Sequence, residues 1–441
     1  MTARDPRGVA QDVLVRVETT AAFADVLLAR RLAGTSLPAA DRALATDLVY
    51  GTLAWQGRLD HHLAQLVHRP IAALDPPVRA ALRLGLYQLL FLGGVADHAA
   101  VNESVELAKR SSRGGASLVN AVLRRATREG PGIVAGLDDR TPAAAALRHS
   151  MPAWVAERWW AELGGQRARA LLQAINLPAE SALRANTLRA TREEVLSRLP
   201  VPGRAAADLP EGIVLEAPFD VQASPLFEQG AVMPQARASM LVARLLDPQP
   251  GERVLDLCAA PGAKATHLAA LMGGQGELVA VERHPGRAQA LERTCARLGA
   301  EHVRVEVRDA AEPRSGPQFQ RVLVDPPCSG LGTVQSRPDI RWRASPASVD
   351  ELAALQSRIL DAAAATTAPG GTIAYSVCTI SRAEGEGVVD AFLARHDEFD
   401  ADDLGAVQPG WRLGDTRYLQ SLPDRDGTDG FFIARLRRTR R

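Results

Sequence analysis

From Arg253 onward, short apolar runs rich in β-branched residues alternate with helical stretches, and this alternation constrains the fold more than any other feature of the chain. The strand-like runs are Val254–Leu257, Glu277–Val281, Val303–Val307, Arg321–Val324 and Thr372–Ser376. Between them fall helical stretches such as KATHLAALM, GRAQALERTCARLG and VDELAALQSRILDAAAA. Such alternation predicts an α/β, doubly wound, mostly parallel sheet of Rossmann-like type. Sheets of this kind bind ligands at the carboxyl ends of their strands. Functional residues are therefore expected just after each strand.

The remaining residues read differently. Up to about Glu129 the apolar spacing is helical throughout, as in Val13, Val17, Phe23, Leu27, Leu28 and Leu32, and again in Leu82, Leu86, Leu89 and Leu90. Asp41 and Asn102 are expected as helix caps, Pro76-Pro77 as a helix start, and Gly130–Pro142 as a linker. A helix around Ala153–Leu163, an extended run SALRANTLRA and a strand-like EGIVLEA suggest a small α/β domain. The expected multidomain division is 1–140, all-helical; 141–245, linker and small α/β domain; and 246–441, the α/β sheet domain.

Composition excludes several classes. The 441 residues are 46% hydrophobic and 23% charged, the balance of a globular rather than a disordered chain. No run approaches the ~18 apolar residues of a membrane helix, and the start MTARDPRGVAQD lacks the apolar core of a secretory signal. Cys258, Cys295, Cys328 and Cys378 lie too far apart for a CxxC metal or redox site. A reduced, cytoplasmic protein with no metal and no membrane partner is expected. The net charge of +1 does not by itself call for nucleic acid, so local clusters must carry that argument. Only Lys109 and Lys264 among the 52 basic residues are lysine.

The strand ends carry the chemistry. After the first strand comes Asp256-Leu257-Cys258-Ala259-Ala260-Pro261-Gly262-Ala263-Lys264, where small residues allow close approach to a ligand. This is neither GxGxxG nor a P-loop, and Lys264 is expected to neutralise a ligand carboxylate. Glu282, at the second strand end, suits the two ribose hydroxyls of an adenosine-containing cofactor, and Asp309, after the third, suits its adenine amine. Cys328 and Cys378 follow the fourth and fifth strands and should face one crevice, whereas Cys295 sits within a helix pattern and reads as an inert small hydrophobe.

An adenosine cofactor without a phosphate loop suggests S-adenosylmethionine. The acceptor that needs thiol help is C5 of a pyrimidine, a poor nucleophile until a thiolate adds at C6. A second thiol can assist release, and Asp325, hydrogen-bonded to N3 and the exocyclic amine, would favour cytosine. Position alone leaves open which cysteine attacks.

These residues resemble a known family. The motifs VLDLCAAPGAKATHL, VERHPGR, DPPCSGLG and YSVCTI, with LRANTLR and FEQGAVMPQARAS upstream, are similar to those of bacterial 16S ribosomal-RNA cytosine-5 methyltransferases of the Sun or RsmB type. Residues 1–140, with VNESVELAKR and LVNAVLRR, resemble the all-helical RNA-binding domain of the antitermination factor NusB. The resemblance implies that Cys378 is the nucleophile and Cys328 the release-assisting thiol. It also implies that Cys258–Lys264, Glu282, Asp309 and Asp325 form the S-adenosylmethionine site, that small-subunit rRNA is the substrate, and that the middle domain takes part in RNA recognition by a monomeric enzyme. Three positions depart from the family pattern: Ala263 where Gly is usual, Pro326 where Ala is frequent, and Ala236 near the place of an acid.

Two alternatives accompany this reading. DPPC is close to the DPPY/F motif of exocyclic-amine methyltransferases, and the helical domain alone would suit a non-catalytic RNA-binding protein. RNA contacts are expected in two places. One is a basic face of Lys109, Arg110, Arg113, Arg124, Arg125 and Arg128 at the ends of two adjacent helices. The other is the loop Ser329–Ala344, where Arg337, Arg341, Trp342 and Arg343 pair arginine with an aromatic ring suited to stacking.

Overall fold

The computed structural model describes residues 5–110, 113–134, 136–312 and 314–439; the side chains of Arg113 and of residues 130–134 are outside that description. The chain forms two compact units, residues 1–177 with 337–343, and residues 178–336 with 344–441. No described helix is long and apolar enough to cross a membrane.

The first unit is all-helical. Its helices are α1 (Pro6–Thr19), α2 (Ala24–Ala33), α3 (Ala39–Leu66), α4 (Pro76–Leu90), α5 (Asp97–Lys109), α6 (Arg113–Val134), α7 (Pro142–Arg148), α8 (Ala153–Leu163) and α9 (Gly165–Ala174). Asp5 caps α1 by accepting from the amides of Arg7 and Gly8, with Pro6 preset for the first turn. The apolar stripes meet in a core around the fully buried Leu48, Leu59, Leu63, Leu82 and Leu84. Each such leucine contributes roughly 1.5–3 kcal/mol on leaving water.

Local expectations differ from the structure at three points. Asp41 lies inside the first turn of α3, whose cap position is Pro38, and Asn102 lies within α5 rather than at its start. The expected linker begins too early, since α6 runs through Gly130-Pro131-Gly132 to Val134. A proline in the last turn removes a single helical bond, which a long helix already packed through Val119, Val122, Leu123 and Ala126 tolerates.

The second unit holds two sheets. Strands β1 (Ser181–Ala185), β2 (Gly203–Ala205), β3 (Gly212–Leu215) and β4 (Val232–Pro234) form an antiparallel sheet in the order β2-β3-β1-β4. With them go α10 (Arg192–Arg198), opened by a Thr191/Glu194 capping box, and α11 (Pro225–Glu228). Next come α12 (Arg237–Leu246), β5 (Arg253–Asp256), α13 (Ala263–Leu271), β6 (Glu277–Glu282), α14 (Pro285–Leu298), β7 (Val303–Val307) and β8 (Phe319–Val324). The chain ends with α15 (Pro346–Thr366), β9 (Thr367–Val377), α16 (Glu386–Leu393), β10 (Phe399–Ala401), β11 (Leu419–Gln420), α17 (Pro423–Asp426) and β12 (Phe432–Arg438).

The large sheet runs β7-β6-β5-β8-β9-β12-β10, with β11 paired to β12. Strands β5 to β9 pair in parallel, while β12 is antiparallel to β9 and β10. This is the expected doubly wound sheet. Its order reverses between β5 and β8, which opens a crevice at the carboxyl ends of those two strands. The antiparallel strands beyond β9 lie outside the alternating pattern that reveals the other five.

Candidate active site

Each strand end delivers a polar or thiol side chain to this crevice. Asp256 ends β5, Glu282 ends β6, Asp309 lies two residues past β7, Asp325 directly follows β8, and Cys378 directly follows β9. Between β5 and α13 the chain turns through Gly262 at φ +108°, where a Cβ would come within 2.9 Å of Leu291 and 3.2 Å of Thr294. Glycine is needed there because both the backbone angle and the packing against α14 exclude a side chain.

Glu282 is nearly buried. It accepts from the His284 amide at 2.9 Å, and Arg287 stands 3.4 Å from its second oxygen. Arg287 also donates to the Ala260 carbonyl, which ties the loop of small residues to the start of α14. Asp309 accepts from the Ala311 amide and has Arg283 at 3.6 Å. Asp256 is fully buried; one oxygen accepts from the Cys258 amide at 3.3 Å, and Oδ2 has no hydrogen-bond partner among the described residues. Burial first, and then the Asp325 charge, push its carboxyl up to about 7. Burial likewise raises the Cys258 thiol, and it pushes Cys295 in α14 up to about 12, as suits an inert core thiol.

The structure gives Lys264 a partner on the protein itself. Its ammonium donates to Asp325 Oδ2 at 2.8 Å and lies 5.1 Å from the centre of the Phe431 ring. Burial opposes the charge, but Asp325 outweighs it and the Lys264 pKa is raised. The other Asp325 oxygen accepts from Ser376 Oγ at 2.8 Å. Each carboxylate oxygen retains a second lone pair for a bound base.

The two thiols meet. Cys328 Sγ lies 3.2 Å from Cys378 Sγ, because β8 and β9 are neighbours in the sheet and both loops turn into one crevice. The hydrogen bond to Cys378, together with burial, holds the Cys328 thiol well above its ordinary value.

Residues 243–437 match the 16S rRNA methyltransferase RsmB/F family, residues 4–128 the NusB family, and residues 151–222 the ferredoxin-like domain of RsmF/B-like methyltransferases. The ribosomal RNA small subunit methyltransferase B of Thermus thermophilus is 41% identical, over 99% of this chain and 99% of its own length. The chain belongs to the ribosomal RNA small subunit methyltransferase B family. The Pseudomonas putida methyltransferase of the same name is 37% identical, over 96% of this chain and 98% of its own. Among solved structures, PH0851 superposes with a TM-score of 0.85 at 26% identity, covering 98% of both chains. Membership makes the chain a methyltransferase, and the non-catalytic alternative falls.

The surface residues expected to meet RNA are placed unevenly within the helical unit. Arg341 requires correction. Arg341 is fully buried, and its guanidinium donates to the carbonyls of Ala54, Ser150 and Ile175 and to Asn176 Oδ1 at 3.0–3.1 Å. Trp342 donates its indole N–H to the Leu53 carbonyl at 2.7 Å and lies against Gly57, where a Cβ would sit 2.6 Å from the ring. Arg341 is a packing residue of the helical unit and is not displayed for stacking, whereas Trp342 is only half-buried. Arg343 donates to the carbonyls of Ala21 and Ala22, and Arg337 lies over Phe23 with Asp25 at 3.5 Å.

The basic face is also less uniform than its sequence. Acids from outside the stretch pair with Lys109 (Glu106), Arg110 (Asp5) and Arg125 (Glu129). Arg124 and Arg128 are exposed on one side of α6, and Arg124 bonds to the neutral Asn120. They lie about 17–23 Å along the helix from Arg113, so the residues do not gather at two helix ends.

Sequence reasoning missed Glu384. It is fully buried beside both cysteine loops, yet in the polar run SRAEGEG it looks like any exposed acid before a helix. The only signal was its place six residues beyond Cys378, in the connection between β9 and α16.

Proposed function

We propose that this enzyme methylates C5 of a cytosine in 16S ribosomal RNA, in the cytoplasm, through a covalent link between Cys378 Sγ and C6 of the base. The observation that carries the reading is the pair of thiols 3.2 Å apart beside Asp325, at the ends of two adjacent parallel strands. S-adenosylmethionine, when bound, supplies the electrophilic methyl group that the activated C5 attacks.

The residues present fit that cofactor. Glu282 and Asp309 offer acceptors at successive strand ends, Gly262 keeps the loop narrow, and the unpartnered Asp256 Oδ2 is a buried polar atom beside it. The Cys258–Lys264 stretch is read as the wall of this site, with Lys264 acting through Asp325.

Cys378 adds to C6 as the thiolate, which makes C5 nucleophilic. Asp325, oriented by Lys264 and Ser376, accepts from the exocyclic amine, and the Lys264 ammonium beside it offsets the negative charge that the adding thiolate brings to the ring. After methylation a water molecule takes the C5 proton, the C5–H electron pair forms the C5=C6 double bond, and the C6–S bond breaks to return the Cys378 thiolate. Cys328, kept protonated by its bond to Cys378 and by burial, donates to the departing sulfur. The exposed Arg124 and Arg128 are the best candidates of the basic face for phosphate contact.

The test is a map of 5-methylcytosine in 16S rRNA from cells with and without the gene. Loss of one modified position on deletion, restored by the wild-type chain, supports the proposal. An unchanged map overturns it.

A further inference from the structure

Behind the two thiols lies a network that the proposed chemistry does not use. Glu384 Oε1 accepts from the Ser329 amide at 2.7 Å and from Gln356 Nε2 at 3.1 Å. Oε2 accepts from Ser329 Oγ at 2.5 Å and from Thr379 Oγ1 at 3.3 Å, and the two hydroxyls lie 2.9 Å apart. Ser329 directly follows Cys328, and Thr379 directly follows Cys378. Gln356 Nε2 also donates to the carbonyl of Pro327, the residue before Cys328. From below, Tyr375 in β9 donates its hydroxyl to the Glu384 carbonyl at 2.6 Å.

One side chain thus gathers donors from both cysteine loops. All four are neutral, and the carboxylate is wholly out of water, an arrangement costly enough that an apolar filler would serve simple packing better. A second tie joins the same loops, where the Gly332 amide donates to the Cys378 carbonyl at 3.0 Å. That contact alone leaves the Cys328 end of its loop free to drift.

We propose that Glu384 is a positioning residue that clamps the loop after β8 to the loop after β9 and so holds Cys328 against Cys378. The clamp rests on the reading that both thiols serve the reaction, and it explains how two separate strand ends keep them in register. The Glu384 charge also adds to the hydrogen bond and burial that keep the Cys328 proton in place.

The test reads thiol proximity directly, in the full chain without cofactor or RNA. Diamide takes two electrons and two protons from the thiol pair, forming the Cys328–Cys378 disulfide and a hydrazine, and peptide mass spectrometry follows the rate. Glu384→Ala should slow this cross-link at least about ten-fold, since an ångström of drift suffices to undo such alignment. Glu384→Gln should stay within about two-fold, because its carbonyl oxygen accepts from Ser329 N and Gln356 while its amide N–H groups donate to the two hydroxyls. In methylation assays Glu384→Ala should lower kcat about ten-fold or more, with KM for S-adenosylmethionine and rRNA within about two-fold.

A folded Glu384→Ala chain that cross-links and turns over like wild type overturns the clamp. Should that variant not fold, Ser329→Ala removes the shared hydroxyl alone, and a wild-type cross-linking rate there is equally fatal. Failure of the proposed function is distinguishable: Cys378→Ala would still methylate rRNA, while the effect of Glu384→Ala on cross-linking would remain.

Discussion

Replacing Arg341 with methionine separates a packing role from RNA contact. The guanidinium is fully buried, and its hydrogen bonds include those at 3.0–3.1 Å to three carbonyls and Asn176 Oδ1. Bonds from a charged donor are worth roughly 1.5–3 kcal/mol each, so the set is worth about 6–12 kcal/mol. Burial offsets part of this, lowering the Arg341 pKa from its ordinary value to about 9. That shift corresponds to about 5 kcal/mol of desolvation, a penalty that methionine avoids. The net loss is on the order of 4 kcal/mol, within the usual range for breaking a buried charged network. Five of the six tryptophans (Trp55, Trp154, Trp159, Trp160 and Trp342) lie in the helical unit, so tryptophan fluorescence during urea unfolding reports on it. Arg341→Met should lower that unit's stability by about 3–5 kcal/mol. At temperatures where the variant stays folded, its rRNA affinity should be unchanged. A stability loss below about 1 kcal/mol with clearly weakened RNA binding would refute this reasoning and return Arg341 to the RNA surface.

Three further outcomes follow from particular residues. Ala236 occupies the cap position of α12 in extended geometry without a side-chain cap, so Ala236→Asp should stabilise the chain by about 1 kcal/mol in chemical denaturation; no gain would mean that the α12 amides are already satisfied. Asp256, raised from 3.8 to about 7, keeps its proton in the folded state between those pH values while the unfolded chain ionises, so its contribution to stability is lost as pH rises from about 4 to 7. Asp256→Asn should flatten that part of the stability profile, by up to about 4 kcal/mol between its ends, and an unchanged profile would place the carboxyl in contact with water. Reversing Arg124 and Arg128 to Glu should weaken rRNA binding and make its salt dependence shallower by about one to two units of log–log slope; an unaltered slope in a folded variant would clear this face of phosphate contact.

What could be read in the sequence follows from how each feature is encoded. The parallel sheet was legible because buried strands are short, apolar and β-branched, and the rule that ligands meet strand ends then led to Glu282, Asp309, Asp325 and both cysteines. Strands β10 to β12 were not legible, because antiparallel additions at a sheet edge follow no helix-alternating rhythm. Arginine beside tryptophan in Arg341-Trp342 looked like an RNA surface, yet Arg341 is buried against the Ile175 carbonyl at the end of α9, and Trp342 donates to the Leu53 carbonyl within α3. The partnership of Lys264 with Asp325 spans 61 residues, and that of Glu384 with Ser329 spans 55. Nothing local in the sequence marks either pair; only the folded sheet brings the partners together.

The central claim concerns the thiols, and trapping the covalent enzyme–RNA species tests it most directly. Each cysteine variant is incubated with 16S rRNA and S-adenosylmethionine, denatured, and resolved by electrophoresis. Cys328→Ala, which still adds to C6 and transfers the methyl group but releases poorly, should accumulate a denaturation-resistant RNA adduct. Cys378→Ala should give no adduct and no 5-methylcytosine. An adduct from Cys378→Ala and none from Cys328→Ala would exchange the two roles, and full methylation by both variants would contradict thiol catalysis altogether.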